Sequence, residues 1–136
     1  MDREIWADMY QALFPNAQRP AMYREIERIL ASEKRGGYCA QIGDQVVGFF
    51  EYSIRDYANG CVSQPVPFLE GIWVHPDARG QGHAAALIAF LEDLARQKGY
   101  RELGSDVQAW NEPSLNMHTS LGFEETERVV YFRKDL

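Results

Sequence analysis

The stretch "VHPDARGQGHAAALIAFLEDLA", Val74 to Ala95, constrains this chain more than any other. An apolar, β-prone run, "FLEGIWV", passes through Pro76, Arg79, Gly80 and Gly82 into an apolar-patterned helix that reaches Lys98, with Gly99 as its C-cap. Glycines at 80 and 82 let the backbone turn tightly and approach a ligand without interference from a Cβ. The unpaired N–H groups of the first helical turn favour an anion, and a phosphate is the natural guest.

Several designs share such an entrance. "GQGHAA" formally satisfies the dinucleotide pattern G-x-G-x-x-A, with Glu102 about 20 residues further on. Against that reading, the motif lies past mid-chain, only 54 residues follow Gly82, and Pro76 with Arg79 makes a longer loop than the fingerprint has. No Gly-Lys-Ser/Thr follows, which excludes a P-loop. A plain strand-to-helix turn uses the same two glycines, so the rest of the chain has to decide.

At 136 residues, one domain spanning 1–136 is expected. Asp2 can cap a first helix carrying Ile5, Trp6, Met9, Tyr10 and Leu13 at helical spacing, stopped by Pro15. A second helix fits from about Pro20, with Met22, Ile26, Ile29 and Leu30 on one side and Gly36 and Gly37 at its end. "YCAQI" and "QVVGFFEYSI" around Gly43 and Asp44 read as an antiparallel hairpin, with a bulge at Gly48. Asp56 to Pro67 reads as a loop, "RELGSDV" as a short strand, "NEPSLNMHTSLG" as a short helix and "FEETERVVYFRKDL" as a final strand or hairpin. The strand, helix, strand unit from Phe68 to Val107 requires parallel pairing, so the fold class is α/β (α+β) with a mixed sheet.

Twenty acidic against fourteen basic residues give a net charge of −6. Neutralising a phosphate backbone needs a basic face, so this balance argues against nucleic acid as a partner. An acidic surface suits a cationic small molecule, and equally serves plain solubility. Cys39 and Cys61 form neither a CxxC nor a framework, which points to two reduced thiols, and no metal site is expected. No apolar run approaches the roughly 18 residues of a membrane span, and no signal-peptide pattern opens the chain. A cytoplasmic location without membrane association is the expectation.

Val74-x-Pro76-x-x-Arg79-Gly80-x-Gly82-x-Ala84 resembles the acetyl-CoA pyrophosphate loop of the GNAT N-acetyltransferases. The run Asn111-x-x-Ser114-x-x-x-His118-x-x-Leu121-Gly122-Phe123 is similar to that superfamily's second cofactor segment. "SIRDYANG", "SQPVPFLEGIWVHP", "LGSD" and "HTSLGFEETERVVYF" together look like the aminoglycoside 6′-N-acetyltransferases, over about Trp6 to the C-terminus. The resemblance implies a mostly antiparallel sheet flanked by helices, with a splayed parallel strand pair holding acetyl-CoA. One departure stands out: such enzymes begin with a β-strand, whereas this chain opens on the first helix, so either the start is truncated or another segment covers that sheet edge.

The site residues follow from the same resemblance. Arg79, Gly80, Gln81, Gly82, His83 and Ala84 supply the phosphate cradle, mostly through N–H groups, with the His83 ring expected to face solvent. Trp73 and Val74 run alongside pantetheine, and the Val74 N–H addresses the thioester carbonyl as an oxyanion donor. Asn111 belongs to the cofactor segment, and His118 stands where many members carry a tyrosine proposed as general acid. Glu70 lies in an otherwise apolar strand and must face a partner or a cleft; Asp106 ends the next strand. By resemblance both hold the 6′-amine and help deprotonate it; as ordinary residues Glu70 pairs with Arg55 or Arg79, and Asp106 caps a turn. Trp6 and Tyr57 fall where the family places aromatics at the mouth of the aminoglycoside site, and Trp6 also fits the apolar stripe of the first helix.

The implied activity is direct acetyl transfer from acetyl-CoA to the 6′-amine of an aminoglycoside, hence antibiotic resistance. No cysteine lies in either cofactor motif, which disfavours an acyl-enzyme. A polyamine or protein amine as acceptor, and a non-catalytic acyl-CoA sensor, are the alternatives; the sensor has no use for paired acids. "VVYFRK" pairs either across a homodimer interface, as the resemblance implies, or within the chain.

Overall fold

The protein is described by a computed structural model covering residues 2–136. Asp2 caps the first helix, α1 (Arg3–Leu13), its Oδ1 accepting from the Glu4 N–H at 2.9 Å and the Ile5 N–H at 3.3 Å. The second helix, α2 (Arg19–Ala31), carries a proline in its first turn. Trp6, Ala7 and Met9 of α1 pack with Ile26 and Ile29 of α2 against Phe49 of the sheet. The hairpin expected around Gly43 consists of β1 (Arg35–Ile42) and β2 (Gln45–Arg55), Gly43 making the turn at φ 58°. The bulge expected at Gly48 lies beside it: Gln41 pairs with Val46 and Ala40 with Gly48, so Val47 is the extra residue.

Gly36 and Gly37 do not end α2. They lie inside β1, where an added Cβ would stand 2.8 Å from the Tyr52 ring and 2.9 Å from the Trp6 ring respectively. Their lack of a side chain lets β1 pass beside two aromatics rather than stopping a helix.

β3 (Val66–Val74) joins β2 antiparallel, and β4 (Gly104–Ser105) joins β3 parallel, giving the order β1-β2-β3-β4. Between β3 and β4 run a 3-10 turn (Pro76–Ala78) and α3 (His83–Gln97), as the crossover required. Helix α3 buries Leu87, Ile88 and Leu91 on one face of the sheet against Phe50, Leu69 and Val74; α1 and α2 cover the other. α4 (Glu112–Ser120) follows β4. At the opposite side of the sheet β1 is an edge strand, with no neighbour on its outer side among the described residues.

The final strand or hairpin expected from Phe123 onward is absent: residues 124–136 contain neither helix nor strand. A strand needs a paired edge, and a cleft of about 1180 Å³ opens between this segment and the β4 region. Val130, Tyr131 and Phe132 are exposed, Phe132 to 93%.

Candidate active site

The expected phosphate cradle is built from β3 outward. The His75 N–H donates to the Val47 carbonyl at 2.7 Å, and His75 Nδ1 accepts from the Asp77 N–H at 3.1 Å, fixing the 3-10 turn. Arg79 folds back so that its Nε donates to the Val74 carbonyl at 2.9 Å. Gly80 and Gly82 then adopt left-handed φ angles of 76° and 83°, and an added Cβ at either would meet nothing within 4 Å. Gly82 is the N-cap of α3 and no side chain caps that helix, so its first-turn N–H groups have no side-chain partner at the cap. A bare, concave backbone with an adjacent guanidinium fits a diphosphate. Ala84 packs on the core below. The His83 ring does not simply face solvent: its Nε2 is shut away without a hydrogen-bond partner.

The parallel pair is splayed as expected. β3 and β4 pair only at Phe68 with Gly104 and Leu69 with Ser105, and part beyond those positions. Because the His75 N–H points to β2, strand alternation turns the Val74 N–H the other way, into the opening that β4 vacates. Trp73 sends its ring to the opposite face, into the α1–α2 core.

Glu70 owes its direction to a second irregularity. Glu51 pairs with Gly71 and Tyr52 with Leu69, which makes Glu70 the surplus residue of a β-bulge. Its carboxylate accepts from Ser53 Oγ at 2.5 Å, from Arg55 Nε at 2.9 Å and from Arg55 Nη2 at 2.8 Å. Burial pushes the Glu70 pKa up, but the Arg55 and Ser53 hydrogen bonds outweigh it and hold the carboxyl below its ordinary value. The Arg55 partner named from the sequence is therefore real, and Arg79 is not involved.

A pocket of about 340 Å³ beside Glu70 is lined by Tyr10, Phe14, Arg35, Glu51, Ser53 and Glu70. Trp6 was expected at the mouth of the acceptor site. It is instead 2% exposed in the core, and its Nε1 donates to Glu51 Oε1 at 2.5 Å. Phe14 and Tyr10, tilted against each other with ring centroids 4.8 Å apart, are the aromatics that reach this pocket. Glu51 is 6% exposed, and burial pushes its pKa up. Sequence reasoning missed this carboxylate; the signal was an acid in the apolar run "VVGFFEY".

Asp106 lines the larger cleft with Arg55, Ser105 and His118, not the pocket of Glu70. It is exposed and accepts no hydrogen bond from any described residue, so it caps no turn; its charge supports that of Arg55. Arg55 thus stands between the two acids. His118 is engaged at both nitrogens, Nδ1 lying 2.7 Å from the Ser114 carbonyl and Nε2 2.7 Å from Ser105 Oγ. A carbonyl only accepts, which puts the ring hydrogen of the neutral form on Nδ1. Asn111 caps α4, its side chain accepting from the Ser114 N–H at 3.3 Å. Tyr57 is exposed in the loop after β2, its hydroxyl bonded to Asn59. Glu102, the acid of the dinucleotide pattern, binds the backbone N–H groups of Val62 and Ser63 and ties down that loop.

A strand pair that parts beside a helix entrance without a side-chain cap, with carboxylates set along the sheet from it, is the geometry that comparison with known proteins places in a family. Residues 3–123 match the model of the acetyltransferase (GNAT) family, and the chain belongs to that family. It is 43% identical over 135 residues to the aminoglycoside N(6′)-acetyltransferase type 1 of Serratia marcescens, covering 98% of this chain and 92% of that one. Among solved structures it is similar to AAC(6′)-Iy in complex with the bisubstrate analogue CoA-S-monomethyl-acetylneamine, with a TM-score of 0.93, 40% identity and coverage of 98% and 92% of the two chains. A complex of AAC(6′)-Iy with CoA matches with a TM-score of 0.93 and 40% identity, covering 98% of this chain and 89% of the other.

Proposed function

We propose that this protein is an aminoglycoside 6′-N-acetyltransferase, transferring the acetyl group of acetyl-CoA to the 6′-amine by direct attack and so conferring resistance. The observation that carries the reading is the layout of β3. Its bulge presents Glu70 to an acidic pocket, and four residues on, the same strand ends in the Val74 N–H and the glycine cradle. Near-full-length identity to enzymes of that activity supports it.

The residues from Arg79 to Ala84 would hold the diphosphate of CoA, which brings the acetyl group as a thioester. Trp73 and Val74 offer their backbone to the pantetheine arm, and the Val74 N–H is the donor for charge developing on the carbonyl oxygen. Glu70, kept ionised by Arg55, and the unpaired Asp106 attract the acceptor's ammonium groups. Tyr57 offers an aromatic face to a sugar ring. His118, occupied at both nitrogens, positions Ser105 beside Asp106 instead of donating a proton to the leaving thiolate, and Asn111 fixes the start of α4.

A homodimer belongs to the same reading. The exposed apolar run Val129–Phe132 lies next to a cleft beside the two-residue strand β4, and a second copy's arm is the partner that fills such a cleft and pairs such an edge. A reducing cytoplasm suits Cys39 and Cys61, both free thiols. Release of free CoA from acetyl-CoA, followed with kanamycin, tobramycin, spermidine and a lysine peptide, tests the assignment. Turnover with the aminoglycosides is expected; turnover only with the peptide overturns it.

A further inference from the structure

The acceptor amine reaches a neutral-pH enzyme as an ammonium and has to lose a proton before its lone pair can attack. Glu70 is badly placed to take it. Two hydrogen bonds from Arg55 and one from Ser53 already occupy its carboxylate and stabilise the charged form.

The other acid of the same pocket is differently held. Glu51 reaches the pocket from β2, across the sheet from Gly71 and next to the Glu70 bulge. The Trp6 indole N–H fixes one oxygen, Oε1. Among the described residues the second oxygen accepts no hydrogen bond, yet it is not sealed off, since the one buried side-chain polar atom without a partner is His83 Nε2. That oxygen therefore opens on the pocket. The groups facing Glu51 are Trp6 and Tyr10 of α1, Glu25 of α2, Arg35 of β1, Ser53 of β2 and Glu70 of β3. Burial raises its proton affinity most, and Glu25 and Glu70 add to it, against Trp6 and Arg35. Arg35 is itself paired with Glu25 at 2.5 Å.

We propose that Glu51 is the carboxylate that takes the proton from the acceptor ammonium, while Glu70 holds the charge of the incoming substrate. In the step, an N–H bond of the ammonium breaks and an O–H bond forms at the free oxygen of Glu51. The amine lone pair then forms the C–N bond to the thioester carbonyl carbon, and the C–S bond breaks with its electron pair going to sulfur. The second amine proton ends on the thiolate or in solvent, and Glu51 returns its own to water. This assignment rests on the acetyltransferase reading above.

The test is the pH dependence of kcat/KM for an aminoglycoside, with wild type, Glu51→Gln and Trp6→Phe, each checked for CoA binding by calorimetry. Glu51→Gln is expected to lose about 10²–10⁴-fold near neutral pH with CoA affinity intact, and to recover as the pH approaches about 10, where the amine deprotonates unaided. Trp6→Phe keeps the carboxylate but removes its N–H donor, and should move the acidic limb of the profile to higher pH. Glu51→Gln with wild-type turnover, or with an equal loss at every pH, overturns the proposal, as does an unmoved limb in Trp6→Phe. Wild-type protein that acetylates no aminoglycoside overturns the parent reading instead, and this inference with it.

Discussion

Arg55 grips Glu70 at two points, with Nε 2.9 Å from Oε1 and Nη2 2.8 Å from Oε2, while its guanidinium lies 3.6 Å over the Phe68 ring. The ring shields one face of the pair, so the fork is held in place and Glu70 is kept charged. Arg55→Gln should cost about 1–3 kcal/mol at pH 7. The sign with pH follows from the depressed carboxyl: its stabilisation is full above the unfolded value of about 4.3 and fades as the pH falls through the lower folded value. Urea unfolding at neutral pH and near pH 3 should show the difference between wild type and variant shrinking in acid.

Glu70→Ala and Asp106→Ala should each lower kcat/KM for aminoglycosides, chiefly through a raised KM, because each removes a charge that attracts the acceptor's ammonium groups. Neither side chain touches the glycine cradle, so calorimetry should return wild-type affinity for CoA. Near-normal kcat/KM in both variants would remove them from the acceptor site.

The cradle is tested by two equally strained glycines. Gly82 at φ 83° and Gly99 at φ 87° both lie in the left-handed region, so alanine at either should cost about 1–2 kcal/mol of stability. Only Gly82→Ala places a methyl in front of the α3 entrance. CoA affinity should fall in that variant and persist in Gly99→Ala, as titration calorimetry will read.

Glu51→Gln should be thermally at least as stable as wild type at neutral pH. Burial raises the folded pKa, so ionising Glu51 costs stability, and a glutamine carbonyl still accepts from the Trp6 indole. The stability of the wild type relative to this variant is best below about pH 4.3 and declines as the pH rises through the folded value. Melting curves at mildly acidic and alkaline pH should show the gap between the two proteins widening in favour of the variant.

Val130→Asp with Phe132→Asp should convert a dimer to monomers in sedimentation equilibrium. Both side chains are exposed within one chain, so helical content should be unchanged. Monomeric wild type would remove the assembly from the functional reading.

Much of this was legible in the residues. The glycine entrance, the parallel strand pair and the hairpin each carry a local signal, a spacing or a turn, that does not depend on distant partners. What escaped was settled by contact. "RELGSDV" has the look of a strand, but only Gly104 and Ser105 find a partner before β3 and β4 diverge. "VVYF" has strong β character yet pairs with neither edge of its own sheet. Gly36 and Gly37 read as a helix stop because the aromatic rings they accommodate lie 16 and 31 residues away in sequence. Trp6 and Glu51, separated by 45 positions, form a pair that neither local pattern announces.

The surplus residue in β3 has a last implication. With it, Leu69 and Ile72 lie three positions apart yet both pack with the α3 core, and Glu70 is free to look the other way. Removing Gly71 would restore unbroken alternation with Leu69 and Ile72 still on the core side, and would abolish the bulge that aims Glu70. The chemistry at this strand is thus written in how many residues it has as much as in which ones, so a one-codon deletion here strikes the aim of one carboxylate while leaving the apolar face in step.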